Sequence, residues 1–190
     1  LTPTFGGLAA GAVDTADDYA YFVAPTRPGA LLRIRLSDFT RAGELFLGPD
    51  EIDSGLLALD PLGRFAYTDA NINPGRMVKI SLATFQRAGA LSLATGKWPD
   101  AAALDPARGW LWTTVVNANQ RLTKVRLSDF REVSPVLEIP AGNSLETIAY
   151  DTATGVGYFV ESGAAPRLVK ADLLTMARLA ELPLAADEVF

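Results

Sequence analysis

One unit of about 46 residues occurs four times in this chain, and that period restricts the fold more than any other feature. Four columns set its register. An acid closes an apolar run at Asp14, Asp60, Asp105 and Asp151. Seven residues on stands an aromatic, Tyr21, Tyr67, Trp112 and Tyr158. Twelve further is a cation, Arg33, Lys79, Lys124 and Lys170, and six beyond that a large apolar residue, Phe39, Phe85, Phe130 and Met176. Successive copies are offset by 46, 45 and 46 residues, so the one missing residue lies between Phe85 and Asp105.

A period in the forties also suits helical pairs, so local patterning decides the element type. Leu32, Ile34 and Leu36 alternate with Arg33 and Arg35, and Val78, Ile80 and Leu82 alternate with Lys79 and Ser81. A period of two marks strands. The segments around Tyr21, Tyr67 and Trp112 are rich in aromatic and β-branched residues, which suit a pleated surface. DPLG, DPARG, DTATG and NPG supply turn chemistry between short runs. In the second copy the expected strands are A, 56–59; B, 64–68; C, 76–82; and D, 89–93. In the first copy SDFTRAGE reads as the C–D turn, with Asp38 setting it; Thr84, Asp129 and Thr175 share the slot.

Four antiparallel strands per unit, repeated in tandem, describe a blade of a β-propeller. The expectation is an all-β β-propeller of four ~46-residue, four-stranded antiparallel blades (residues 8–53, 54–100, 101–146 and 147–190), forming a single domain over residues 1–190. Asp187-Glu188-Val189-Phe190 parallels Asp50-Glu51-Ile52-Asp53, the lead-in to a further copy, and points to part of a larger propeller. A closed ring of four blades, or of eight from two chains, is the alternative. PLGRFAY (61–67), GRMVKISLATF (75–85) and AGALSL (88–93) resemble YVTN-type and NHL-like bacterial propeller repeats. The resemblance implies a cell-surface, secreted or binding protein, with some lactonase-like enzymes in such families.

Composition removes several functions. The net charge of −5 lacks the basic excess that nucleic acid or an anionic membrane surface demands. No apolar run reaches the ~18 residues of a membrane-inserted helix. With no cysteine there is no thiolate nucleophile or zinc–sulfur site, and with no histidine no imidazole base or ligand. Arginine outnumbers lysine, and alanine and leucine abound, the usage of a GC-rich bacterial genome. A secreted or cell-surface location is favoured.

The periodic columns read as scaffold. The aromatics are core; the acids set A–B turns; the cations lie between neighbouring blades with stems packed and heads paired to acids. A ligand belongs instead on the loops that vary. On a propeller the D–A and B–C loops share one rim. The D–A loops hold Trp98 and Asn143. Five residues before each repeat acid come Ala9, Gly55, Asp100 and Glu146, which places Asp100 and Glu146 near the axis. Asn71, Asn73, Asn117, Asn119 and Glu161 come from B–C loops. The candidate rim set is therefore Trp98, Asp100, Asn143, Glu146, Asn73 and Asn119. The reading is a non-enzymatic recognition or scaffold module binding a protein or glycan, with no cofactor and with self-association through open blade faces. The alternative is a lactonase-like hydrolase whose Glu146, Asp100 and asparagines hold a divalent cation at the axis.

Overall fold

The computed structural model describes residues 7–93, 99–116, 120–163 and 165–185, without the side chain of Glu146. It contains four antiparallel sheets, each with its strands in sequence order. The first comprises β1 (Ala10–Asp14), β2 (Tyr19–Ala24), β3 (Ala30–Arg35) and β4 (Thr40–Phe46); the second, β5 (Leu57–Asp60), β6 (Phe65–Ala70), β7 (Arg76–Ser81) and β8 (Gln86–Ser92). The third is β9 (Ala102–Asp105), β10 (Trp110–Val115), β11 (Arg121–Arg126) and β12 (Arg131–Glu138); the fourth, β13 (Asn143–Asp151), β14 (Val156–Gly163), β15 (Arg167–Asp172) and β16 (Ala177–Pro183). Each sheet is one sequence repeat. The chain divides at Pro99 into two compact units of two sheets each. Among the described residues no helix is long and apolar enough to cross a membrane.

The A–B and C–D hairpins of every sheet are four-residue turns that end in a left-handed residue. The A–B turns end at Asp18, Arg64, Gly109 and Gly155, with φ between 58° and 79°. The repeat acid begins each one: Asp14 Oδ1 accepts from the Ala16 and Asp17 amides, Asp60 Oδ1 from Gly63, Asp105 Oδ1 from Arg108 and Asp151 Oδ1 from Ala153. The C–D turns end at Phe39, Phe85, Phe130 and Met176, with φ between 51° and 60°. The first residue of each C–D turn, a leucine, donates its amide to the carbonyl of the last residue of the A–B turn: Leu36 to Asp18 O, Leu82 to Arg64 O, Leu127 to Gly109 O and Leu173 to Gly155 O, all at 2.9–3.0 Å.

This corrects the expected C–D turn. Only Leu36–Phe39 turns, and Thr40-Arg41-Ala42-Gly43-Glu44 is strand. Strand D of the second copy starts at Gln86, not at 89. The small polar residues that suggested a long loop lie beside a bulge: the register shifts between Arg33 and Ile34, leaving Ala42 as the extra residue, and again between Lys79 and Ile80. The missing residue of the 45-residue spacing falls in the β8–β9 connection. Nine residues lie there, against ten between β4 and β5.

Within each unit the two sheets pack through equivalent residues. In the first, Tyr21, Val23, Leu31 and Leu47 of the first sheet meet Val78, Ile80 and Leu82 of the second. In the second, Trp112, Leu122 and Leu137 meet Val169, Ala171, Leu173 and Met176. The Trp112 Nε1–H also donates to Leu173 O at 2.8 Å. Tyr21, Tyr67 and Trp112 are buried, but Tyr158 is 38% exposed, which corrects its assignment to the core. It sits in the same register as Trp112, paired with Lys170 across the strands as Trp112 is with Lys124. Trp112→Ala is therefore expected to cost about 3–5 kcal/mol and Tyr158→Ala less than about 1 kcal/mol in urea unfolding. Equal losses at the two positions would contradict this packing.

Candidate functional site

The predicted rim residues separate into distinct environments. Trp98 and Asn119 lie outside the described residues. Asn73 is exposed between β6 and β7, and the neighbouring Asn71 amide donates to Ile52 O at 2.9 Å. Asp100 is exposed, with its backbone clamped from below: the Asp100 and Ala101 amides donate to Thr114 Oγ1 at 3.1 and 2.9 Å. The second sheet has the same clamp in different chemistry. Asp69 Oδ1 accepts from the Gly55 and Leu56 amides at 2.7 and 2.8 Å, and Ser54 Oγ donates to Asp69 O. Asp69 and Thr114 share a column, nine residues after the repeat acid. That regularity is the signal the sequence reading passed over. The clamps fix the loop backbone, and Asp100 presents its side chain from a rigid support.

Asn143, Glu146 and Glu161 are not loop residues, contrary to expectation. β13 begins at Asn143 and pairs with β14 through Asn143↔Gly163, Ser144↔Ser162 and Leu145↔Glu161. A register shift between Leu145 and Ile148 lets the pairing continue where the other copies have a loop. Asn143 is buried, and its Nδ2 has no hydrogen-bond partner among the described residues. Gly163 faces it at φ 129°, and a Cβ there would lie 2.8 Å from Asn143 Oδ1 and 2.3 Å from Gly142 O. Only glycine fits that crossing. The Ser144 and Ser162 hydroxyls meet at 2.7 Å.

The principal buried charges form a second, unforeseen set built from two repeat columns. Sixteen residues after the repeat acid stand Ala30, Arg76, Arg121 and Arg167; twenty-seven after it stand Arg41, Arg87, Glu132 and Arg178. Where both columns carry arginine, a buried glutamate from elsewhere joins them. Glu51 reaches Arg76 at 3.2 Å and Arg87 at 2.7 Å, and accepts from the Gly48 amide. Glu161 pairs with Arg178 and, at 3.3 Å, with Arg167; both arginines also hold Glu181, at 2.8 and 2.9 Å. In the third sheet the second column itself is acidic, and Glu132 pairs with Arg121 at 3.1 Å and accepts from the Thr123 hydroxyl at 2.6 Å. In the first sheet the first column is Ala30, and Arg41 makes a solvent-exposed pair with Glu44 at 3.3 Å. Each of these glutamates thus has at least one guanidinium against it, as burial requires.

These acids are poorly suited to proton transfer. Burial opposes ionisation of Glu51, but the hydrogen bonds from Arg87, Gly48 and Arg76 outweigh it and hold the carboxyl below its usual range. Asp105 follows the same logic. Burial raises it, and the Arg108 guanidinium and Tyr150 hydroxyl, at 2.8 and 2.7 Å, bring it down below the ordinary value. Tyr150 is pushed up to about 12 by burial and by that bond to Asp105. Among the described residues no three carboxylates converge as metal ligands would.

Of the column cations, Arg33 and Lys124 lie between sheets, as expected, and there they meet ring faces and a backbone carbonyl. The Arg33 guanidinium lies 4.4 Å from the Phe85 ring centre and 4.7 Å from that of Tyr19. Lys79 is 3.9 Å from the Phe65 centre. Lys124 is 4.0 Å from that of Trp110, and its Nζ donates to Leu174 O at 2.7 Å. Ring faces and a backbone carbonyl surround these cations, and burial lowers the pKa of Lys79 and Lys124.

No family model matches this chain, and no curated protein matches it. Solved structures do. Hydrazine synthase from Kuenenia stuttgartiensis superposes at a TM-score of 0.81, with 8% identity, over 97% of this chain and 51% of its own. The Myceliophteria thermophila Cps50 (Swd1) β-propeller domain gives 0.72, with 13% identity, over 95% and 58%. The chain has the β-propeller fold. A nidogen/laminin complex gives 0.67, with 18% identity, over 88% and 61%. The chain spans about half to three-fifths of the length of these propeller relatives.

Glu51→Gln tests the charged cluster. Because the native pKa of Glu51 lies below its unfolded value, its contribution is complete above the ordinary value of 4.5 and fades as pH falls through the native pKa. The variant is expected to lose about 1–3 kcal/mol at neutral pH, less than a fully buried pair because both arginines retain solvent. The gap between wild type and variant in urea unfolding should narrow below about pH 4.5. A gap independent of pH would refute the assignment.

Proposed function

We propose that the four sheets are blades of one YVTN-type or NHL-like propeller. It would be a non-enzymatic recognition or scaffold module of a bacterial surface or secreted protein, binding a protein or glycan through the D–A and B–C loops at one rim. The observation that carries this reading is the anchoring of those loops. Asp69 and Thr114 clamp the backbone, while Asp100 and Asn73 stay exposed. A rigid support with exposed, variable side chains is the physical requirement of a recognition surface. The ionised, arginine-held state of Glu51 supports a structural role for that acid rather than a catalytic one. A propeller seen in a complex of nidogen with laminin supports a protein as one class of partner.

The test is a screen against a glycan array and a panel of extracellular proteins, repeated with the Trp98→Ala/Asp100→Ala double variant. The variant should lose binding while its Tm stays within about 2 °C of wild type, as expected for an exposed Asp100. Undiminished binding would place the surface elsewhere. A parallel thermal scan with calcium, zinc and manganese should give no stabilisation. A clear upward shift with one ion would favour a metal-dependent hydrolase instead.

A further inference from the structure

The second and fourth sheets hold the same pair of arginines, but they differ in the acids that meet the pair. In the fourth sheet Arg167 and Arg178 are met from within by the buried Glu161. On the solvent side they are bridged by Glu181, 38% exposed, at 2.8 and 2.9 Å. Two guanidinium groups there face two carboxylates. In the second sheet Arg76 and Arg87 meet the buried Glu51, at 3.2 and 2.7 Å, and no second carboxylate among the described residues.

The acid that the second sheet lacks belongs to a repeat column. Glu181 stands thirty residues after the repeat acid, opposite Val169; the same column in the second sheet is Ala90, opposite Val78. The first sheet carries the acid as well. Glu44, opposite Leu32, pairs with Arg41 at 3.3 Å as Glu181 pairs with Arg178. In the third sheet the column is Pro135, and Glu132 stands where the others have arginine. An arginine twenty-seven residues after the repeat acid is thus followed three residues later by glutamate in the first and fourth sheets, and by alanine in the second. Ala90 is exposed, while Val78 beside it packs into the core of the first unit, so the place of the absent carboxylate opens on solvent. Glu51 takes Arg76 at Nη1 and Arg87 at Nε and Nη2. It holds both groups in position without exhausting the five donors of either guanidinium. Neither has another partner among the described residues, and their side chains are 29% and 40% exposed.

We propose that Arg76 and Arg87 bind an external carboxylate in the place that Glu181 fills in the fourth sheet. Its source is an acidic side chain of a protein or a small free carboxylate. The class follows from the occupant of the equivalent place, a planar carboxylate shared by two guanidinium groups, which is a pairing of matched geometry. Glu51 offsets one of the two positive charges and leaves the site cationic. The site uses none of Trp98, Asp100 and Asn73, so it stands or falls apart from the rim surface.

NMR titrations of the arginine Nε–H signals in the isotope-labelled 190-residue chain test this, with sodium acetate and with acetyl-Gly-Glu-Gly-amide as probes and chloride holding the ionic strength constant. The Arg76 and Arg87 signals should shift saturably, with a Kd of about 1–20 mM. The same peptide with glutamine for glutamate should bind at least about tenfold more weakly. Peptide binding several-fold tighter than acetate would support a protein side chain as the source, and equal binding a free carboxylate. Ala90→Glu supplies the acid from the chain itself. It should abolish the titration and raise Tm by about 1–4 °C, with Ala90→Gln giving less than half that rise. Glu181→Ala should in turn give Arg167 and Arg178 the same titration. No saturable shift at Arg76 and Arg87, equal shifts with the glutamine peptide, or an Ala90→Glu chain that titrates like wild type would each overturn the proposal.

Discussion

Within each unit the structure depends on covering one face of the first four-stranded sheet with the turn of the second. No single sheet of this kind has a core of its own. The aromatic residue on strand B is the largest contributor, and the large residue that ends the C–D turn completes the cover. A left-handed backbone costs a phenylalanine about 1–2 kcal/mol, and burying its ring returns about 1.5–3 kcal/mol. The balance is favourable at Phe85 and Met176 only because a neighbouring sheet receives them. This explains why a large apolar residue recurs where glycine or asparagine would relieve the turn.

The same cover explains the cations. A charged group between two sheets needs compensation, and a carboxylate facing it would itself need desolvating. Ring faces and carbonyls at chain turns are already present in the repeat, so Arg33 and Lys124 use those. The sequence reading assigned acids to them because opposite charge is the usual partner of a buried cation. Acids instead meet the arginine columns, where Glu132 and Glu161 pair with guanidinium groups of their own sheet and Glu51 reaches those of the second sheet from the β4–β5 connection.

The fold was legible because its determinants are periodic. Alternation in strand C, turn chemistry after each repeat acid and four invariant offsets gave sixteen strands in the right order. Strand D was misplaced because alanine, glycine and arginine in Arg41–Glu44 have loop-like composition, and a bulge accommodates them within the sheet. The candidate site was much less legible. The residues proposed for recognition are those that break the period, so no column marks them. Asn143 resembled a loop asparagine, but it pairs with Gly163 in a strand that runs on through a bulge between Leu145 and Ile148. The loop clamps at Asp69 and Thr114 were periodic and readable in principle, yet two different side chains perform the one task.

The claim that the repeat columns exist to join one sheet to the next is tested most directly by a double-mutant cycle on Arg33 and Phe85. The two belong to different sheets, with the guanidinium 4.4 Å from the ring centre. Unfolding free energies of Arg33→Ala, Phe85→Ala and the double variant should give a coupling of at least about 0.5 kcal/mol. Strictly additive losses would mean that the two sheets fold side by side without this contact holding them.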